Sequence, residues 1–281
     1  AAAFWRRHLA GFDEATPLQI DKRTVSEQVS YGQKSRRLTA ADSAALTGLA
    51  QRERLTLNTI IQGSWGLLLS RYSGNEEVLF GTTVSGRPAD LPHVEQMVGM
   101  FINTLPLRLH LTPNRQLLDW LDEVQAQHLE ARQFEYSSLA DVQSWSEIPA
   151  GQPLFDSILV FENYPTVPAD PARSLAVSEM EYREQSNYPL ALLIVPGAQI
   201  ELLAIYNRDR FDDAVIDRLL GHLNELLTAI AAQPQSELGE LPMLTPAEQN
   251  QILVEFNQTA QPGYAEALLH ELISAHATSN P

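Results

Sequence analysis

The chain has no cysteine, which excludes disulfides, thiolate metal sites and a thiol nucleophile, and fits a reducing compartment. No apolar run approaches the roughly 20 residues of a membrane span, and no cationic, apolar leader opens the sequence. A soluble, cytoplasmic protein is therefore expected. Basic charge is scarce: 19 Lys and Arg stand against 35 Asp and Glu, a net of −16. Residues 1–54 hold nine of those cations, and the last 49 residues hold six Glu with no Lys or Arg. That balance argues against nucleic acid, whose phosphates demand a basic surface.

Histidine chemistry is missing as well. His8, His93, His110, His128, His222, His270 and His276 include no adjacent pair and no metal-binding spacing on a helix. Only His93 lies beside a stretch that invites chemistry. No Gly-x-Ser-x-Gly elbow or phosphate loop occurs. Gly63-Ser64-Trp65-Gly66 comes near the former but lies inside a helical pattern. No metal site and no catalytic residue can be named in this chain.

What is present is enough for one large domain or two small ones: 281 residues, 44% of them hydrophobic. Phe4-Trp5 to Leu9 reads as a short amphipathic helix, and Gln28 to Arg37 as a polar strand. Thr39 caps a helix with Ala45, Leu46, Leu49 and Ala50 on one side. Asn58 to Tyr72 carries Ile60, Ile61, Trp65, Leu67, Leu68 and Leu69 with almost no charge, so that helix belongs at the centre of the core. Thr112-Pro113 predicts another helix start, with Leu117, Leu118, Leu121 and Val124 buried. Ser138 to Trp145 is a shorter helical piece.

Four strands are read after Val78–Val84 and its partner Ile102–Leu109. Phe155–Phe161 is one; Leu175–Tyr182 is a bulged second; Tyr188–Val195 and Gln199–Asn207 form a hairpin. Pro196-Gly197 suits a type II turn with positive φ at Gly197. Phe211–Ala231 is a long helix with Val215, Leu219, Leu220, Leu223, Leu226 and Leu227 inward. Beyond a composition shift at Gln233-Pro234, Leu244-Thr245-Pro246-Ala247-Glu248 is a capping box, with Ile252, Leu253 and Phe256 as the buried side of its helix.

The stretch from Gly81 to Arg108 carries the most information. Val98-Gly99-Met100-Phe101-Ile102-Asn103-Thr104, closing at Arg108 and preceded by Ser85-Gly86-Arg87-Pro88, resembles the fifth core motif of condensation domains from non-ribosomal peptide synthetases. Gln133 to Leu139 occupies the place of that family's sixth motif without its usual His/Asn-Gln-Asp start. Pro153-Leu154-Phe155 with Val160 to Pro165 is similar to the seventh, lacking its leading Arg-Asp. Asn187-Tyr188-Pro189-Leu190 and the Phe-Trp…Leu helix are similar to further family segments. Leu241 to Asn257 looks like the linker from condensation to adenylation domain, and Leu269-His270-Glu271-Leu272 like the first residues of the latter.

The resemblance implies an α/β fold, a chloramphenicol-acetyltransferase-like lobe with a mixed sheet backed by helices, the second of two such lobes. It divides the chain into the C-terminal lobe of a condensation domain (1–232), a linker (233–264) and the truncated start of an adenylation domain (265–281). It implies a substrate tunnel touched by Ser85, Gly86, Arg87, Gly99, Phe101, Asn103, Thr104 and Arg108. Arg87 is expected to meet the phosphate of a phosphopantetheine arm. Asn103 is either a tunnel-wall amide or a brace for loop backbone. No cofactor is bound directly, since the arms belong to partner carrier proteins. The partners implied are the N-terminal lobe, upstream and downstream carrier proteins and the adjoining adenylation domain. Membrane and nucleic acid are not among them.

The family's His-His-x-x-x-Asp-Gly signature is absent, so the chain alone is expected to be inactive. Three rivals remain: an epimerisation-type domain of the same fold, a non-catalytic docking or scaffold module, and a CoA-dependent acyltransferase. Arg87–His93 and Thr166–Arg183 are the segments expected to reach across to the first lobe.

Overall fold

A computed structural model describes residues 1–22, 30–87, 91–149, 151–162, 186–259 and 268–280. It separates into two units, Ala1–Met243 and Leu244–Pro281. The bulged strand read at Leu175–Tyr182, the crossing segment Thr166–Arg183 and part of Arg87–His93 lie outside the described residues.

The first unit begins with helix α1 (Ala2–His8), which buries Phe4 and Trp5. Strand β1 (Tyr31–Arg37) follows, then α2 (Ala40–Glu53) and α3 (Leu57–Ser73). The Asp42 amide donates to Thr39 Oγ1 at 3.1 Å and the Thr59 amide to Thr56 Oγ1 at 3.0 Å, so hydroxyl caps start both helices. Gly74, at φ 76°, ends α3 in the left-handed conformation that a side chain would resist. Strands β2 (Glu77–Val84) and β3 (Asn103–His110) form an antiparallel pair around the long loop 85–102. Next come α4 (Leu117–Arg132), α5 (Leu139–Ser144), β4 (Ser157–Phe161), β5 (Leu190–Val195), β6 (Glu201–Asn207) and α6 (Asp213–Ala232).

The six strands form one mixed sheet in the order β1-β6-β5-β4-β2-β3. The β2–β4 and β4–β5 pairs are parallel and the rest antiparallel. Helices α2, α3, α4 and α6 supply most of the larger core, which takes in Phe80, Leu107, Leu192 and Tyr206 from the sheet. Trp65 at the middle of α3 is fully buried, as an almost chargeless helix requires. A second cluster joins Phe4, Trp5, Leu9 and Phe12 to Leu105, Phe155 and Ile158. Gly81 makes room for it: a Cβ there would lie 2.4 Å from the Phe155 ring. Among the described residues no helix is long and apolar enough to cross a membrane.

Several local expectations are corrected. Thr112-Pro113 starts no helix; α4 begins at Leu117. The intervening backbone pairs instead with residues far along the chain: Gly239 N–H donates to Pro113 O, Leu238 N–H to Arg115 O, and Leu117 N–H to Ser236 O. Gly197 does not take positive φ, because the hairpin pairs Val195 with Glu201 and so turns through a longer loop than a two-residue one. On α6 the inward position belongs to Ile216 and not Val215, and on α2 to Ser43 and not Ala45.

The second unit contains α7 (Pro246–Asn250), a π-helical turn (Gln251–Glu255) and α8 (Leu269–Ser279). Thr245 and Glu248 form the expected capping box. Ile252, Leu253 and Phe256, expected to be buried, are 45%, 68% and 66% exposed. A segment this short has too little apolar surface to enclose a core.

Candidate functional site

The β2–β3 register sets the site. Val84 pairs with Asn103, Thr83 with Thr104 and Leu79 with Arg108, so the motif residues are spread along one strand instead of gathered at a point. The structure sorts them into three groups.

The first group is the loop between the strands. Gly86 sits at φ 62° with its Cα so close to Phe101 that a Cβ would fall 1.8 Å from the Phe101 carbonyl oxygen. Glycine is required there on both counts. Arg87 Nη2 donates to Met97 O at 3.1 Å and Nη1 donates to Val94 O. The guanidinium carbon lies 4.2 Å from the Phe101 ring centre, a cation–π contact. The Ser85 hydroxyl accepts the Arg87 amide at 3.4 Å. The guanidinium edge expected to face a phosphate thus faces main-chain carbonyls. Ser85 and Gly99 are exposed at the loop surface.

Asn103 and Thr104 form the second group. Asn103 Nδ2 donates to Glu135 O at 2.8 Å and Ser137 O at 2.7 Å, while its Oδ1 accepts the Thr104 amide at 2.9 Å. Both amide protons are committed to carbonyls either side of Tyr136, which is 75% exposed. Trp5 Nε1 donates to Ser137 Oγ at 3.1 Å, and Phe134 stacks on Phe4 at 4.4 Å. The Asn103 amide thus braces the turn after α4, not the loop that precedes it in sequence. Thr104 faces elsewhere, toward Tyr188, whose ring stacks on Phe155 at 5.4 Å. Burial pushes the Tyr188 phenol up, and Thr104 partly offsets the shift.

Arg108 is the third group, at the other end of β3. Its Nη1 donates to His8 O at 3.1 Å and Ala10 O at 2.7 Å, its Nη2 pairs with Glu77, and its guanidinium lies over Phe12. It ties down the end of α1, where orphan helix carbonyls favour a cation. His8 itself packs against the rings of Phe4 (stacked, 5.3 Å) and Trp5 (edge-on, 5.8 Å), and its Nε2 has no hydrogen-bond partner among the described residues. Burial first, then the charges of Arg108 and Arg7, push its pKa down to about 4. His128, whose Nδ1 lies 3.4 Å from Gln62 Nε2, is also pushed down to about 4, by burial and then Arg132. His93 is exposed at φ 61°, next to Val94, whose carbonyl Arg87 holds.

A condensation-domain family model matches residues 1–253, most of the chain. The chain belongs to the condensation-domain family. One of the linear gramicidin synthase subunits of Brevibacillus parabrevis is 41% identical over 285 residues, covering 100% of this chain and 6% of that protein. The chain therefore spans a small part of the curated relatives it matches. A holo four-domain non-ribosomal peptide synthetase bound to AMP and glycine superposes with a TM-score of 0.80 at 19% identity, over 99% of this chain and 22% of that one. The first condensation domain of the calcium-dependent antibiotic synthetase, in complex with a substrate analogue, gives 0.66 at 15%, over 87% of this chain and 53% of that one. The fold is that of condensation domains, chloramphenicol-acetyltransferase-like, with its mixed sheet backed by helices.

Within this condensation-domain chain, three segments singled out by resemblance meet through Asn103. The fifth-motif strand supplies the amide, the sixth-motif turn supplies the carbonyls, and the Phe4-Trp5 helix closes over that turn. Sequence reading missed Trp5, the Glu135 and Ser137 carbonyls, and Tyr188 as site residues. The signal was present, since each lies in a segment that resembles the family, but the partners are 32 to 132 residues apart.

Proposed function

We propose that this chain is the C-terminal lobe of a non-ribosomal peptide synthetase condensation domain. In this reading residues 233–264 are the linker toward an adenylation domain and 265–281 are its start. The observation that carries the reading is the family match over 1–253 in a sequence with no paired histidines. Coverage of 53% of a condensation-domain chain supports a single lobe. The reaction is amide formation between two carrier-tethered thioesters. The acceptor amine attacks the donor carbonyl, a C–N bond forms, the C–S bond breaks, and the amine proton leaves with a base as the thiol is released.

This lobe's part is to orient the two chains, which can supply much of the rate when reacting atoms are held in line. The phosphopantetheine arms belong to upstream and downstream carrier proteins. In this reading the groups that meet the arms are the exposed Ser85 hydroxyl and the half-buried Thr83 and Thr104. The base belongs to the N-terminal lobe. His93→Ala, in the chain joined to that lobe, should therefore form amide at the wild-type rate. Loss of a general base slows a reaction by roughly 10²–10⁴-fold. A slowing of that size in a folded His93→Ala protein, read by mass spectrometry of the product, would place the base here and refute the proposal.

A further inference from the structure

Loop 91–102 has little burial to hold it in one shape. Val98 is 102% exposed, Met100 94% and Ile102 63%, while Val94 is its buried anchor. An apolar loop with so little buried surface should sample many shapes unless polar contacts fix it. Backbone bonds hold the turn Leu91–Met97, and among the described residues Arg87 is the side chain that ties this turn to Phe101. Arg87 bonds the carbonyls of Val94 and Met97 and lies flat against Phe101, touching the loop at its beginning, middle and end. Its own backbone is fixed in turn, by Gly86 pressed against the Phe101 carbonyl and by the Ser85 hydroxyl on its amide.

We propose that Arg87 is a positioning residue: its planar guanidinium moulds loop 91–102 by bridging Val94 and Met97 under the Phe101 ring, and its charge is not aimed at substrate. Where catalysis is concerned this rests on the proposed function, in which Ser85, beside this loop, meets a phosphopantetheine arm. The distinguishing feature is shape. A lysine keeps the charge but is a point donor on a flexible stem, and cannot span two carbonyls while stacking on a ring. A phosphate-binding role would tolerate lysine; the bridge does not.

The test compares Arg87→Ala and Arg87→Lys by hydrogen exchange on the 281-residue chain. Both should raise exchange of the Val94, Gln96 and Met97 amides, which donate to the carbonyls of Leu91, His93 and Val94, about tenfold or more, with β2 and α3 amides unchanged, as for opening of one local unit. Wild-type protection in either variant would overturn the proposal. If Arg87→Ala also loosens β2, Phe101→Leu reports in its place, since it removes only the stacking face. Raised exchange confined to the Val94, Gln96 and Met97 amides is then expected, and unchanged exchange overturns the idea. In the chain joined to its upstream lobe, both Arg87 variants should raise the acceptor KM equally and leave kcat in place. A lysine variant with wild-type KM would show that charge is what matters. Failure of the unaltered joined domain to form amide would count against the proposed function and leave the exchange result standing.

Discussion

Asn103→Ala should destabilise the chain by about 2–4 kcal/mol, because two carbonyls lose their donors together and each unmade bond at a part-buried site costs about 1–3 kcal/mol. The carbonyls are those of Glu135 and Ser137, bonded at 2.8 and 2.7 Å. The damage should spread along the network, since Ser137 also holds Trp5 and the turn seats Phe134 against Phe4. Asn103→Asp is no rescue: it puts an acceptor against two acceptors. Urea unfolding should show a lower midpoint with an unchanged slope, the mark of lost stability in a two-state transition. A tunnel-wall amide, the other reading of the sequence, would leave stability almost intact and lower turnover in the joined domain. That outcome would mean the brace carries little weight.

Acidification should destabilise the chain well before its carboxylates titrate. His8 and His128 are both held near pKa 4 when folded, against an ordinary 6.5 when unfolded. The unfolded chain therefore binds protons that the folded chain refuses. The stability these neutral rings allow is whole above pH 6.5 and declines as pH falls toward 4, below which both states are protonated. At about 1.36 kcal/mol per pH unit for each group, the two together should lose about 4 kcal/mol between pH 7 and pH 5. His8→Phe, which keeps an aromatic ring in the stack with Phe4, should remove about half of that slope. An unfolding free energy unchanged over that pH range would show that neither ring is held neutral by its surroundings.

Much of the architecture could be read from local pattern. The almost chargeless helix at Asn58–Tyr72, apolar on most sides, became the buried α3, and Thr39 and Thr245 cap helices where their spacing to Asp42 and Glu248 said they would. These features are set by neighbours within a turn or two. What failed was set by distant backbone. Pro113 looks like a helix start, yet its carbonyl takes the Gly239 amide, and no local rule sees that pairing. Ile252, Leu253 and Phe256 show a helical stripe, but a stripe is buried only if something covers it.

The site divides the same way. Sequence located the motif strand, while the partners of its polar residues came from other elements. Asn103 reaches the turn after α4, Thr104 reaches Tyr188, and Arg108 reaches the end of α1. Residue type announced that Asn103 and Thr104 would need partners if buried, but not which elements would supply them.

In the function proposed for it, this chain orients substrates and supplies no chemistry of its own. Single-turnover amide formation from loaded donor and acceptor carrier proteins puts that to the test. The rate is followed with the 281-residue chain alone and with the chain joined to an N-terminal lobe bearing paired histidines. Product is expected from the joined protein and none above background from the chain alone. Amide formed at enzymatic rates by the chain alone would be the contrary result, and would place a complete catalytic apparatus within these residues.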